Sequence, residues 1–143
     1  MEGKKINFSE KIFIAGATGM VGNSIKKKLI DYGYGSIENN GIIFTPSRAE
    51  LNLLNFQDVH NWMIKNKPTI VILAAAKVGG IYANSSYPAD FILENLKIQT
   101  NVIEASFLTG IKRFLFLGSS CIYPKYAKQP IEEEELLTKE LEP

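Results

Sequence analysis

An α/β fold on a parallel sheet is what this 143-residue sequence predicts, and three features predict it. Short apolar runs alternate with longer segments of helical periodicity, the pattern of βαβ units. The run Thr69-Ile70-Val71-Ile72-Leu73-Ala74 is almost wholly apolar and rich in β-branched residues, as a strand covered on both faces requires. The first run ends in a glycine-rich turn, Gly16 to Gly22, which opens a helix.

Lys11-Ile12-Phe13-Ile14-Ala15 is the first strand, and the helix after the turn runs from about Met20 to Tyr32. Gly33 and Gly35 stop it, since glycine takes the left-handed conformation that a helix end needs. Gly41-Ile42-Ile43-Phe44-Thr45 is strand two, stopped by Pro46. A short helix spans Asp58 to Lys65, with Val59, Trp62 and Met63 at helical spacing. Thr69 to Ala74 is strand three, and Ala75 to Tyr87 reads as loop. Pro88 opens a long helix to about Thr109, because proline is tolerated in a first helical turn. Arg113-Phe114-Leu115-Phe116-Leu117-Gly118 is strand four; beyond Ser119 the chain is loop-like until an acidic run, which suits a solvated helix start.

Composition narrows the function classes. With 45% hydrophobic and 22% charged residues the chain can bury a core and is not a disordered tail. Sixteen Lys and Arg against fifteen Asp and Glu argue against a general nucleic-acid binder. The balance is uneven, however. Residues 1–130 hold fifteen bases and nine acids, which favours an anionic small ligand there. No apolar run reaches the roughly 18–20 residues of a membrane span, and Met1 to Glu10 lacks a signal-peptide pattern. The single cysteine, Cys121, cannot form an internal disulfide, so the expected compartment is the cytoplasm, with no membrane partner.

The turn Gly16-Ala17-Thr18-Gly19-Met20-Val21-Gly22 spaces its glycines at positions one, four and seven. Between strand and helix, such glycines permit a tight turn, close approach of backbone to a pyrophosphate, and close helix packing. The freed N–H groups and the positive helix end then face phosphates. The fold expected is therefore a doubly wound, Rossmann-type dinucleotide-binding sheet. Only its front part is expected within residues 1–143, about four strands with flanking helices. The end of strand two distinguishes the dinucleotides. No acid stands there to bond a ribose 2′-hydroxyl; instead Ser47 can donate to a 2′-phosphate and Arg48 can grip it, so NADP(H) is expected.

With these residues placed, the sequence resembles the extended short-chain dehydrogenase/reductase superfamily and, within it, the GDP-L-fucose synthases. The likeness rests on Gly16 to Gly22, Arg48 with Glu50-Leu51-Asn52-Leu53-Leu54, Ala74-Ala75-Ala76-Lys77-Val78-Gly79-Gly80-Ile81, and Leu117 to Lys125 around Ser119-Ser120-Cys121. It implies a homodimeric, NADP-dependent epimerase-reductase acting on GDP-4-keto-6-deoxy-mannose. It makes Ser119 the donor to the substrate's 4-keto oxygen and Cys121 an acid/base group at the neighbouring carbons. Ser120 can equally cap local backbone, and the sequence does not separate the two serines. Ala74, Ala75 and Ala76 let a cofactor pass close by, Lys77 can reach its phosphate or ribose oxygens, and Leu53 and Leu54 flank the adenine or simply pack. His60, the only histidine, is expected to be a surface or helix-packing residue, and one His and one Cys make no metal site.

Two apolar stripes mark the helix that follows Pro88. Ile92, Leu96, Ile103 and Phe107 form one; Phe91, Ile98, Val102 and Ala105 lie beside it. A helix so broadly apolar needs cover on two sides. A buried interior position provides that, and so does a homodimer through residues 88–109, which the resemblance implies. The superfamily's acid is a Tyr with Lys four residues on, and here the tyrosines are followed at that distance by Ser36, Glu38, Ser86, Phe91, Ala127 and Pro130. The pair is absent, and so is the C-terminal substrate domain that the resemblance implies after it, so the chain by itself is expected not to turn over. A non-catalytic NADP-binding or dimerising module is the alternative.

Overall fold

The computed structural model describes residues 6–141. Glu142, the last acid of the C-terminal run, lies outside them. The elements are β1 (Lys11–Ala15), α1 (Met20–Asp31), β2 (Ile42–Phe44), α2 (Phe56–Asn66), β3 (Ile70–Leu73), α3 (Ile81–Ser86), α4 (Pro88–Leu108) and β4 (Arg113–Phe116). The four strands form one parallel sheet in the order β2-β1-β3-β4. The doubly wound, Rossmann-type arrangement expected from the sequence is what forms.

Strand alternation sorts the core into two layers. Ile12, Ile14, Ile70 and Ile72 face α1, where Ile25 and Leu29 cover them. Phe13, Ala15, Val71 and Leu73 face the other way, onto Val59 and Met63 of α2 and Ile98, Val102 and Ala105 of α4. The chain leaves β1 toward one edge through α1 and then crosses to β3 and β4 on the opposite side. Keeping every crossover right-handed requires the helices to change face with that change of direction. Trp62 joins α2 to this layer, its ring centroid 4.6 Å from Phe13 and 5.4 Å from Phe44.

The helix stop expected at Gly33 holds in detail. Gly33 has φ +88°, and the N–H groups of Gly33 and Tyr34 reach back to Ile30 and Leu29, a Schellman closure of α1. Gly110 and Ile111 close α4 in the same way onto Phe107 and Ser106. α2 is longer than its apolar periodicity indicates, because the Asn55 side chain accepts from the Asp58 N–H at 3.2 Å and so caps an earlier start.

Two expectations change. The segment from Ala75 to Tyr87 is not all loop, since α3 occupies Ile81–Ser86. Ile81 and Tyr82 are exposed, so no buried stripe announced that short helix. The acidic run gives only a single 3-10 turn, Glu133–Glu135. The long helix follows the two-stripe reading: Ile98, Val102 and Ala105 are buried, while Ile92, Leu96, Ile103 and Phe107 remain exposed.

Candidate functional site

β1 and β3 are neighbours whose chains depart in opposite directions, so a crevice opens above their carboxyl ends. A cleft of about 430 Å³ lies there. The glycine turn forms one wall. Gly16 has φ +87°, and a Cβ on it would lie 2.7 Å from the Ala74 carbonyl oxygen, so only glycine lets β1 turn beside β3. A Cβ on Gly22 would lie 2.2 Å from the Gly16 carbonyl oxygen, which fixes α1 close beneath the turn. Gly19 is different: its Cβ would meet nothing nearer than 3.4 Å, and the residue is exposed on the cleft wall. The fold itself leaves room for a side chain at Gly19, whereas a ligand lying on the turn does not.

Gly19 is also the N-cap of α1, without a side-chain cap and without an acid in the first turn. The start of the 12-residue helix, Gly19 to Val21, thus borders the cleft with the positive partial charge of its leading N–H groups uncompensated by a side chain. Such a cradle fits a pyrophosphate.

Most of the residues expected at a dinucleotide site meet here. Gly16, Ala17, Thr18, Gly19, Met20, Val21, Arg48, Leu53, Leu54, Ala74, Ala75 and Ala76 all border the cleft. Ser47 does not: its N–H donates to Glu50 Oε2 at 2.7 Å, tying the turn after β2. Hydrogen bonds from Ser47's backbone and side chain hold the Glu50 carboxyl below the usual carboxylate range. The following residues are fixed as well, since Asn101 of α4 donates its Nδ2 to the Leu53 carbonyl oxygen at 2.9 Å.

Lys77 does not border the cleft, and its ammonium pairs with Glu94 of α4 at 2.5 Å. Its backbone is clamped by Asn95, which accepts the Lys77 N–H at 2.8 Å and donates to the Lys77 carbonyl oxygen at 3.0 Å. Glu94 itself lines the cleft, as do Pro46, Leu51, Asn52, Val78 and Ile98. Sequence reasoning assigns nothing to Glu94 and reads Ile98 only as part of an apolar stripe. Their signal was helical periodicity alone, which places a residue on a face without saying what it faces.

Ser119 and Cys121 lie outside the cleft, on the same carboxyl edge of the sheet but one strand further along. The Leu117 N–H still bonds to the Leu73 carbonyl at 3.1 Å, so Ser119 stands just past the end of the β4 ladder. Its Oγ accepts the Cys121 N–H at 3.2 Å and so begins the 3-10 turn Ser120–Ile122. Accepting that bond uses a lone pair and leaves the hydroxyl proton free to be donated elsewhere. The cap and a donor role are thus compatible in one side chain. Cys121 is an exposed free thiol. His60 stacks on Phe56 of its own helix, with ring centroids 5.5 Å apart, and does not border the cleft. No group of three potential metal ligands occurs among the described residues.

Comparison with known proteins gives this geometry relatives. The family model described as NAD dependent epimerase/dehydratase matches residues 12–143. The chain is 55% identical over 135 residues to GDP-L-fucose synthase 1 of Arabidopsis thaliana, and 48% identical over 134 residues to the GDP-L-fucose synthase of Escherichia coli. Each alignment covers 94% of this chain and 40% of the relative, so the chain spans about 40% of the length of these curated relatives. Among solved structures, a GDP-mannoheptose C4 reductase from Campylobacter jejuni with NADP bound superposes with a TM-score of 0.83 at 40% identity, covering 96% of this chain and 42% of that one.

Proposed function

The chain belongs to the NAD dependent epimerase/dehydratase family, and from that premise we propose that it is the NADP-binding part of a GDP-L-fucose synthase. The whole enzyme converts GDP-4-keto-6-deoxy-mannose to GDP-L-fucose by epimerisation and reduction. One observation carries the cofactor reading: the cleft joins a bare glycine turn and an uncapped helix start to Arg48, with no acid at the end of β2. Identity of 48–55% to GDP-L-fucose synthases supports the substrate class.

In this reading NADPH, when bound, supplies hydride to the 4-keto carbon. Gly16 to Val21 receive the pyrophosphate, Gly22 seats α1 against the turn, and Ala74, Ala75 and Ala76 keep the passage open. Leu53 and Leu54 flank the adenine. Arg48 takes the 2′-phosphate, with Ser47 holding its turn in shape. Lys77 reaches ribose or phosphate oxygens by leaving Glu94. Ser119 donates its free hydroxyl proton to the keto oxygen, and Cys121 moves protons at the adjacent carbons. A sugar nucleotide binds over this edge in the whole enzyme, which is a cytoplasmic homodimer joined through the residues 88–109. Among the described residues no helix is long and apolar enough to cross a membrane.

No tyrosine of the chain has a lysine four residues on, so the 143 residues alone bind cofactor without turnover. A positioned acid accounts for about 10²–10⁴-fold in rate. The test is a fluorescence titration of the chain with NADPH and NADH, followed by an assay with the keto sugar. We expect preference for NADPH, loss of that preference in Arg48→Met by roughly tenfold or more, and no product. Equal binding of the two dinucleotides would sink the cofactor assignment, and product formation would sink the assignment of the missing acid.

A further inference from the structure

A lysine that sequence reasoning does not single out lies beside the end of β2. Lys26 lies on α1, one turn past Gly22. Helical side chains lean toward the helix N-terminus, and this one leans toward the end of β2, where its Nζ reaches Thr45 Oγ1 at 3.5 Å. Thr45 is the first residue after β2, at the strand end that distinguishes NAD from NADP. Lys26 is half-buried, and no acidic partner is found for it among the described residues. Its neighbour Lys27 is exposed and makes no such contact.

A second hollow, of about 330 Å³, opens beside Lys26 and is bordered by Ile43, Thr45 and Ser36. Pro46 and Arg48 border the main cleft instead. The turn Thr45 to Arg48 is therefore a common wall, with Lys26 on its α1 side and Arg48 on its cleft side. A half-buried ammonium whose one neighbour is a threonine hydroxyl has two hydrogens left to donate. An anion at the strand end would draw on both.

We infer that Lys26 is a specificity-determining residue that joins Arg48 in binding the 2′-phosphate of NADP(H), with Thr45 aiming the ammonium. The inference rests on the proposed NADP reading and adds a residue to it. Arg48 grips as a planar fork, while Lys26 supplies a compact charge from the opposite side of the turn. A phosphate held from two sides discriminates more strongly against a plain hydroxyl than one held from a single side.

The experiment titrates NADPH and NADH into the full 143-residue chain carrying Lys26→Met, Lys26→Gln, Lys26→Arg or Lys27→Met, with circular dichroism on each sample. Losing one charge-assisted bond predicts about tenfold weaker NADPH binding in Lys26→Met and Lys26→Gln, and NADH binding within about twofold of the parent. Lys26→Arg retains NADPH binding, and Lys27→Met, which removes the same charge without the Thr45 contact, leaves both dinucleotides unaffected. NADPH affinity unchanged in both neutral Lys26 variants, an equal fall for NADH, or an equal loss in Lys27→Met would each overturn the inference. A parent chain that fails to prefer NADPH overturns the NADP reading beneath it, so the two failures are distinguishable.

Discussion

Three glycines of one turn stand in three different surroundings, which makes them separable by substitution. Gly22 is required by the fold, because a methyl there would overlap the Gly16 carbonyl oxygen at 2.2 Å. Gly22→Ala should cost about 1–3 kcal/mol or more in stability, the range for forced overpacking. Gly19 has its nearest atom 3.4 Å from the built Cβ and stands on the cleft wall, so Gly19→Ala should melt within a few degrees of the parent. The same variant should lose NADPH, since in the proposed reading the methyl occupies the surface that receives the pyrophosphate. Thermal melts and NADPH titrations on the two variants check this; a destabilised Gly19→Ala with intact binding would mean that the turn serves the fold alone. Much of the site is legible in the sequence at this scale. The glycine spacing, the lack of an acid after β2 and the alanines after β3 are local patterns; Gly16, Gly19, Arg48 and Ala74 to Ala76 border the cleft, while Gly22 packs beneath the turn and does not. Lys77 and Ser47 were less legible, for a physical reason. Their partners, Glu94 and Glu50, compete for the groups that a ligand would use, and the first competition spans 17 residues.

α4 shows why an element can be read correctly from sequence while its surroundings are not. The expectation of two apolar stripes came from spacing, and the structure assigns one to the sheet and leaves the other open. Spacing decides which residues share a face; it does not decide what the face meets. α3 is not legible for the converse reason, being a helix of six residues with no buried side to create a period. The consequence for α4 is a sharp asymmetry in what truncation costs. Val102 is fully buried between sheet and α2, so Val102→Ala should destabilise by about 2 kcal/mol, the transfer term plus a small cavity. Phe107 is larger yet 83% exposed, so Phe107→Ala should shift stability by less than about 0.5 kcal/mol. Urea unfolding of both variants is the measurement. A cost for Phe107→Ala as large as that for Val102→Ala would show that the outer stripe is already covered in solution.

That outer stripe and β4 together set the behaviour of the whole molecule. Phe114, Leu115 and Phe116 are 37–50% exposed, and among the described residues β4 pairs with β3 alone. Such an edge offers the outer backbone of Phe114 to Phe116 to another chain, while α4 offers Ile92, Leu96, Ile103 and Phe107 along one face. The two surfaces would assemble the molecule differently. Helix against helix about a two-fold axis buries one patch on each chain and stops at a dimer. Edge strand pairing also closes, but only in antiparallel register and at the expense of the sheet's further growth. The proposed homodimer uses the helix, and a charge on each surface tells the two apart. Ile103→Glu with Phe107→Glu places two carboxylates against their mates in a helix-mediated dimer, whereas Leu115→Lys is a charged gatekeeper on the strand. Sedimentation velocity of the chain should give a dimer for the parent and for Leu115→Lys, and a monomer for the double glutamate variant. A monomeric Leu115→Lys beside a dimeric double variant would move the interface to the sheet edge. The long helix would then be left as a surface for some other element.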